Sequence, residues 1–214
     1  MNIHLKLNRY LKNQELSITI SAFFERAIGK MPEVRFHGRG GQGAVIASRV
    51  LAEAAFLGGH FVQAFPAFGL ERRGAPVLAF TRIDHARMTN HSQIHEPDAV
   101  VVLDSSLLKL VNVQAGLKKQ GIVIINSELP PAQLIEIEDS SFKAATVNAN
   151  AIALGYRLGS RTQPIVNTAI LGALAKTTGI VTIDDVARAI KKNIPIKTDA
   201  NIEACRKAYE QTVL

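Results

Sequence analysis

The sequence has one cysteine, Cys205, and no tryptophan among its 214 residues. A single thiol excludes a disulfide within the chain and an iron–sulfur cluster held by four thiolates of this chain. Cys205 falls on the apolar stripe of a predicted helix with Ile202 and Ala208, so we interpret it as a buried, unreactive thiol. The sequence also lacks an apolar run of about 20 residues that would cross a membrane, and its N-terminus lacks the apolar stretch of a signal peptide. We therefore expect a cytoplasmic protein with no membrane partner.

Acidic residues are too few to balance the basic ones. The chain has 25 Lys and Arg against 18 Asp and Glu, a formal net charge of +7 and a pI near 9.7. Such a charge suits an acidic partner, which could be a nucleic acid, a phosphorylated cofactor or an acidic subunit. Nucleic acid is disfavoured because the sequence has no continuous basic run interleaved with aromatic residues.

The length of 214 residues predicts one domain with a full core. We divide the chain into an N-terminal extension or docking arm, residues 1–30, and a single domain, residues 31–214. The boundary lies where Met31 and Pro32 precede the first strong strand pattern.

Residues 38–43, which we call the glycine loop, have the sequence GRGGQG at the point where a predicted strand turns into a helix. Glycine lets the backbone approach a ligand closely, and the N–H groups that open a helix favour an anion. Apolar residues at helical spacing from Ala44 onward predict that helix. The pattern therefore predicts a phosphate-binding site made of Gly38, Arg39, Gly40, Gly41, Gln42 and Gly43.

The spacing Gly-x-Gly-x-x-Gly also occurs in dinucleotide sites, which need an acidic residue about 20 residues further on. The next predicted strand, residues 60–65, has no acidic side chain, and Glu53 lies inside the preceding helix. A nicotinamide or flavin site is therefore disfavoured, and with it a stand-alone nucleotide-dependent oxidoreductase. A plain alternative is that the glycines serve only a tight turn and close packing.

A second candidate site is the arginine loop, residues 66–76, between the predicted strands at residues 60–65 and 77–83. The guanidinium groups of Arg72 and Arg73 can bind a phosphate or carboxylate through paired hydrogen bonds, and the ring of Phe68 offers a stacking surface for an adenine. The alternative is an interface loop in which Glu71 pairs internally with an arginine. The further candidate residues of this loop are Glu71 and Gly74.

The remaining pattern predicts an α/β, three-layer fold with a central, mostly parallel sheet flanked by helices. Apolar runs predict buried strands at residues 99–103 and 121–126, and Asp104 is expected to begin a helix that runs to about residue 119. Strand, helix and strand then form a parallel unit. Further helices are predicted at residues 164–176, closed by Gly179, at 182–192, where Thr182 and Asp185 form a capping box, and at 199–214.

Together the two loops resemble the gamma subunit of 2-oxoacid:ferredoxin oxidoreductases of the pyruvate synthase type. The resemblance is carried by FHGRGGQG at residues 36–43, FPAFGLERRGAPV at 65–77 and AFTRI at 79–83. It continues through Glu96-Pro97-Asp98, Asp104, NTAILGA at residues 167–173, Thr178-Gly179 and Asn201. It thus covers residues 33–210, while the usual family chain lacks residues 1–30.

The resemblance implies a role in oxidative decarboxylation, in which a 2-oxoacid and coenzyme A give acyl-CoA, carbon dioxide and two electrons for ferredoxin. It implies that thiamine diphosphate and iron–sulfur (4Fe-4S) clusters are held by partner alpha, beta and delta subunits, and that this chain is an enzyme subunit inactive alone. It further implies that the two loops contact coenzyme A and that the chain helps to assemble the complex. Pyruvate is the expected substrate. Alternatives are a branched-chain or aryl 2-oxoacid, or an assembly subunit that binds no ligand.

We predict no catalytic residue and no metal site on this chain. His37 is interpreted as a buried structural histidine, Asp104 as a helix cap, and Asn167 as a residue that satisfies backbone groups near a helix start. Three further histidines lack the register of a metal site, and these are His85, His91 and His95.

Overall fold

The computed structural model describes residues 32–67, 74–90, 92–135 and 142–214. Its strands are β1 (Glu33–Arg39), β2 (Phe61–Pro66), β3 (Pro76–Asp84), β4 (Ala99–Val102), β5 (Ile122–Asn126), β6 (Lys143–Val147), β7 (Gly159–Ser160) and β8 (Gln163–Pro164). Its α-helices are α1 (Ala44–Leu57), α2 (Ala149–Gly155), α3 (Ala169–Thr178), α4 (Ile183–Asn193) and α5 (Thr198–Gln211). The predicted N-terminal extension, residues 1–30, lies outside the described residues, so the division into two parts stays a prediction.

Six strands form one sheet in the order β2-β3-β1-β4-β5-β6, and β7 pairs with β8 in a separate hairpin. Strands β1, β4, β5 and β6 are parallel neighbours, whereas β3 runs antiparallel to both β1 and β2. Every residue of β4 and β5 is buried, as their apolar runs predict. The structure confirms the predicted α/β fold with a central, mostly parallel sheet.

The main core lies between one face of the sheet and the α-helices. Strand residues such as Phe36 and Ile124 meet helix residues such as Leu51 and Ile170 there, and all four are fully buried. The opposite face carries a smaller apolar cluster that is covered by turns and two 3₁₀ helices, Ser105–Lys109 and Pro131–Gln133. The carboxyl ends of β1 and β4 open at one edge between these layers, where ligands bind in α/β sheets.

The helix predicted after Asp104 is wrong beyond its first turn, because only the 3₁₀ helix forms and turns follow it. The buried Arg35 of β1 donates from Nη2 to the carbonyl oxygens of Val113 at 3.0 Å and Ala115 at 2.6 Å. Lys118 Nζ lies 2.9 Å from the carboxylate of Asp98. The side chain of Arg35 therefore takes carbonyls that a helix would use internally, and Asp98 holds the lysine of this segment, which propensity along the chain does not reveal.

The helix predicted at residues 164–176 begins later, at Ala169, because Gln163–Pro164 pairs as a strand with Gly159–Ser160. Its end is as predicted, since Gly179 takes a left-handed φ of 66° as C-cap. The predicted cap of α4 is also confirmed: Thr182 Oγ1 accepts a hydrogen bond from the N–H of Asp185 at 3.1 Å. No helix in the described part of the chain is long and apolar enough to cross a membrane.

Candidate functional site

A cavity of about 740 Å³ lies at the carboxyl ends of β1 and β4, beside the glycine loop. Five parts of the chain form its wall: the glycine loop with the first turn of α1, Gly74 at the end of the arginine loop, the start of the β4–β5 connection, the start of α2, and the hairpin β7–β8 with the segment after it. The lining residues are Arg39, Gly40, Gly41, Gln42, Gly43, Ile46, Gly74, Leu103, Asp104, Ser105, Asn150, Gly159, Ser160 and those from Thr162 to Asn167. The structure thus brings most of the predicted site residues to one cavity.

The glycine loop is a tight turn closed by two hydrogen bonds between Arg39 and Gln42. The N–H of Gln42 donates to the carbonyl of Arg39 at 2.9 Å, and the N–H of Arg39 donates to Gln42 Oε1 at 2.7 Å. Gly41 and Gly43 take φ values of 96° and 82°, in the left-handed region that favours glycine. Gly38 does not line the cavity; a Cβ there would lie 3.2 Å from the Cβ of Ala44, so this glycine allows strand and helix to pack closely.

Helix α1 opens on the cavity with its first N–H groups. No carbonyl or side chain among the described residues accepts from the N–H groups of Gly43, Ala44, Val45 or Ile46, and the first bond of the helix runs from Ala47 to Gly43. The helix has no side-chain cap and no acidic residue in its first turn. These groups and the helix dipole together favour an anion at this point.

The guanidinium of Arg39 is held within the protein rather than free in the cavity. Its Nε donates to Asp104 Oδ2 at 3.0 Å, Nη1 to the carbonyl of Gly74 at 3.0 Å and Nη2 to Ser106 Oγ at 2.8 Å. Gln42 Nε2 also donates to Asp104 Oδ2, at 3.0 Å. Asp104 therefore holds both side chains of the glycine loop through Oδ2. It also caps the following 3₁₀ helix, as predicted, because its Oδ1 accepts a hydrogen bond from the N–H of Ser106.

Asp104 stays ionised because its hydrogen bonds outweigh its burial. Partial burial alone would raise the pKa of this carboxyl, but donors from Ser106, Gln42 and Arg39 together hold the pKa below its ordinary value. The described wall of the cavity therefore carries one ion pair and no net charge.

The arginine loop ends beside the glycine loop. The N–H of Gly40 donates to the carbonyl of Ala75 at 2.9 Å, and the N–H of Gly74 donates to the carbonyl of Gly40 at 3.1 Å. These reciprocal bonds join the two predicted sites at the mouth of the cavity. The predicted residues Phe68, Glu71, Arg72 and Arg73 lie outside the described residues, so their contacts stay a prediction.

Two parts of the wall, the start of α2 at Asn150 and the hairpin β7–β8, have no counterpart among the residues singled out from the sequence. The hairpin contributes Ser160 and Thr162, whose hydroxyl oxygens lie 3.2 Å apart. In the sequence, Gly159 and Pro164 are the residues that could have marked this hairpin. In the structure Gly159 has a φ of 83°, and Pro164 ends β8. Asn167 also lines the cavity, and its Oδ1 accepts from the N–H of Thr168 at 2.9 Å, as the interpretation of this residue predicts.

The interpretation of His37 as a structural residue is confirmed. Its Nε2 accepts a hydrogen bond from Arg35 Nε at 3.1 Å, and the side chain is buried on the sheet face opposite the helices. Burial, helped by the charge of Arg35, lowers the pKa of His37 to about 4, so the ring is neutral at pH 7.

The interpretation of Cys205 is also confirmed, since its thiol is 1% exposed and burial raises its pKa to about 12. His91 lies outside the described residues. Within the described ranges, no group of three His, Cys, Asp or Glu side chains is arranged to hold a metal ion.

Comparison with known proteins adds to this geometry. The family model for pyruvate ferredoxin/flavodoxin oxidoreductase matches residues 33–211 of the chain. The "Pyruvate/ketoisovalerate oxidoreductases common subunit gamma" of Pyrococcus furiosus is 56% identical over 184 residues, which cover 85% of this chain and 97% of that protein.

Solved structures share the fold. The crystal structure of the pyruvate oxidoreductase subunit PORC (EC 1.2.7.1) from Thermotoga maritima matches with a TM-score of 0.72 and 38% identity, over 86% of this chain and 98% of that chain. The 2-oxoglutarate:ferredoxin oxidoreductase from Magnetococcus marinus, solved with 2-oxoglutarate, coenzyme A and succinyl-CoA, matches with a TM-score of 0.64. At 17% identity, over 85% of this chain and 31% of that chain, this second likeness shows the fold alone.

Proposed function

Because the chain belongs to the pyruvate ferredoxin/flavodoxin oxidoreductase family as a subunit of the gamma type, we propose that it forms part of the coenzyme A site of such a complex. The complex would convert pyruvate and coenzyme A to acetyl-CoA and carbon dioxide, and pass two electrons to ferredoxin. The observation that carries the proposal is the cavity at the N-terminus of α1, where unpaired N–H groups lie beside the end of the arginine loop.

Coenzyme A carries groups that complement the wall of this cavity. Its diphosphate and 3′-phosphate offer acceptor oxygens to the free N–H groups of α1, and negative charge to the positive end of the helix dipole. Arg39 is already paired with Asp104, so the described wall supplies little net charge. The cations that would balance the phosphates are therefore assigned to Arg72 and Arg73, whose loop is tied to Gly40 through Gly74 and Ala75. Phe68 is assigned to the adenine and Glu71 to orienting the arginines.

The proposal limits this chain to binding and positioning coenzyme A. Its one cysteine is buried and cannot ligate a cluster in the folded state. Thiamine diphosphate and the iron–sulfur clusters are accordingly assigned to partner alpha, beta and delta subunits, which would select the 2-oxoacid and deliver electrons to ferredoxin. A branched-chain 2-oxoacid is a second candidate substrate, since the Pyrococcus furiosus relative is named as common to pyruvate and ketoisovalerate oxidoreductases.

The test is alanine substitution of Arg72 and of Arg73 in the reconstituted complex. Loss of a charge-assisted hydrogen bond should raise the Michaelis constant for coenzyme A about ten- to a hundred-fold, while that for pyruvate stays near its original value. Lys at the same position should recover only part of the loss, because an ammonium keeps the charge but not the two-pronged geometry. Arg188→Ala is the control, since Arg188 is exposed on α4 and pairs only with Asp185 of its own helix.

One outcome would replace the proposal. If both Michaelis constants are unchanged in the Arg72 and Arg73 variants and the complex dissociates on a sizing column, the arginine loop is an interface element. The chain would then be an assembly subunit that binds no ligand.

A further inference from the structure

Asn167 is a buried amide whose orientation is fixed by its own neighbour. It is 5% exposed, and its Oδ1 accepts a hydrogen bond from the N–H of Thr168 at 2.9 Å. If the amide were flipped, its NH₂ group would face the N–H of Thr168, and two donors cannot form a hydrogen bond. The oxygen therefore faces Thr168, and Nδ2 points away from it. Thr168 is itself held, because its Oγ1 donates to Asn201 Oδ1 of α5 at 2.6 Å.

The side of Asn167 that carries Nδ2 faces the glycine loop. A Cβ built on Gly43 would lie 2.3 Å from Nδ2, so only glycine fits opposite this amide. No acceptor among the described residues takes a hydrogen bond from Nδ2, although the residue lines the cavity and is almost fully buried. Among the described residues Nδ2 is not one of the fully buried atoms without a partner, so it is accessible from the cavity, and an acceptor on a bound ligand can take its hydrogen bond.

The unpaired donors of the cavity share one location. Nδ2 of Asn167 lies against Gly43, and Gly43 is the residue at which the free N–H groups of α1 begin. The nearest carboxylate on the wall, that of Asp104, is occupied by Arg39, Gln42 and Ser106. The group that fits this corner is one with several acceptor oxygens and negative charge, which describes a phosphate.

We infer that Asn167 is a ligand-binding residue, and that its Nδ2 donates a hydrogen bond to a phosphate oxygen of the ligand held at the N-terminus of α1. The inference rests on the proposed function for the identity of that ligand as coenzyme A. It gives Asn167 two roles on one amide: the oxygen positions the segment before α3, and the nitrogen binds the phosphate. It also explains why the loop must end in a glycine at position 43.

The test is Asn167→Asp in the reconstituted complex. The carboxylate retains an oxygen for the N–H of Thr168, so folding should hold, but it replaces the donor with a negative oxygen aimed at the phosphate. The Michaelis constant for coenzyme A should rise about ten- to a hundred-fold, with that for pyruvate unchanged. Asn148→Asp is the matched control, because Asn148 caps α2 by accepting from the N–H of Ala151 and lies outside the cavity wall. It should leave both constants unchanged.

The outcomes separate this inference from the proposed function. If Arg72→Ala raises the constant for coenzyme A and Asn167→Asp does not, coenzyme A binds here without Asn167 and the inference is wrong. If neither variant changes it, the coenzyme A assignment itself fails. If the Asn167→Asp chain does not assemble into the complex, Asn167→Ser is tested instead, because a serine hydroxyl is too short to reach the position of Nδ2. If the Michaelis constant for coenzyme A is unchanged in the assembled Asn167→Ser complex, the inference is also wrong.

Discussion

Asp104 Oδ2 lies 3.0 Å from Arg39 Nε and 3.0 Å from Gln42 Nε2, so one carboxylate oxygen at the end of β4 holds both polar side chains of the glycine loop. Arg39 is one of the residues predicted from the sequence to bind an anion. In the folded chain its guanidinium shapes the loop, and the N–H groups beyond it are the ones that would bind the proposed anion.

Removing the Asp104 anchor should destabilise the domain. Asp104→Ala removes charge-assisted hydrogen bonds to Arg39, Gln42 and Ser106, and because both members of the ion pair are about a quarter exposed we expect a loss of about 1–2 kcal/mol in unfolding free energy. Urea unfolding followed by circular dichroism measures it. Asp184→Ala is the control: its ion pair with Arg206 is largely exposed, so its effect should stay within about 0.5 kcal/mol. Equal effects would show that the loop does not depend on Asp104.

Helices α3 and α5 cross at Gly172, where a Cβ would lie 2.0 Å from the carbonyl oxygen of Cys205. Gly172→Ala should therefore force the helices apart and lower the unfolding free energy by about 1–3 kcal/mol, despite the higher helix propensity of alanine. The matched control is Gly155→Ala in α2, where a Cβ meets nothing within 4 Å. Thermal melting should show a lower midpoint for the first variant and an unchanged or slightly higher one for the second. A Gly172 variant as stable as the original chain would contradict the close crossing.

His37 should make the domain sensitive to mild acid. Its pKa falls from 6.5 to about 4 in the folded state, so the unfolded chain binds the proton first as the pH drops. Stability is unaffected by this residue above pH 6.5 and is lost as the pH falls from 6.5 towards 4, by up to roughly 3 kcal/mol. In His37→Gln, where an amide oxygen can still accept from Arg35, the unfolding free energy should depend less steeply on pH over that range. Parallel pH profiles for the two proteins would show that His37 does not titrate this way.

Cys205 should be unreactive until the protein unfolds. Burial keeps its pKa near 12, so at pH 8 almost none of the thiol is the reactive thiolate, and the side chain is out of reach of reagents. A thiol reagent should label the native domain only at the rate of its opening, and label it stoichiometrically in denaturant. Free cysteine under the same conditions gives the reference rate. Rapid labelling of the native protein would contradict the burial.

Local sequence patterns determined the parts of this fold whose cause lies within a few residues. The fully apolar β4 and β5 follow from their composition, the turn before α1 from glycines that reach positive φ, the end of α3 from Gly179 and the start of α4 from Thr182. The position of the candidate phosphate site at the N-terminus of α1 is of the same kind, because the loop and the helix are consecutive.

Only the tertiary structure decided what faces that site. The segment after Asp104 fails to form a helix because Arg35 of β1 binds its carbonyls and Asp98, just before β4, binds its lysine. Asn167 meets Gly43 only because the hairpin and α3 return to the same edge of the sheet. Such contacts depend on which elements become neighbours in three dimensions, and no periodicity or spacing along the chain records that.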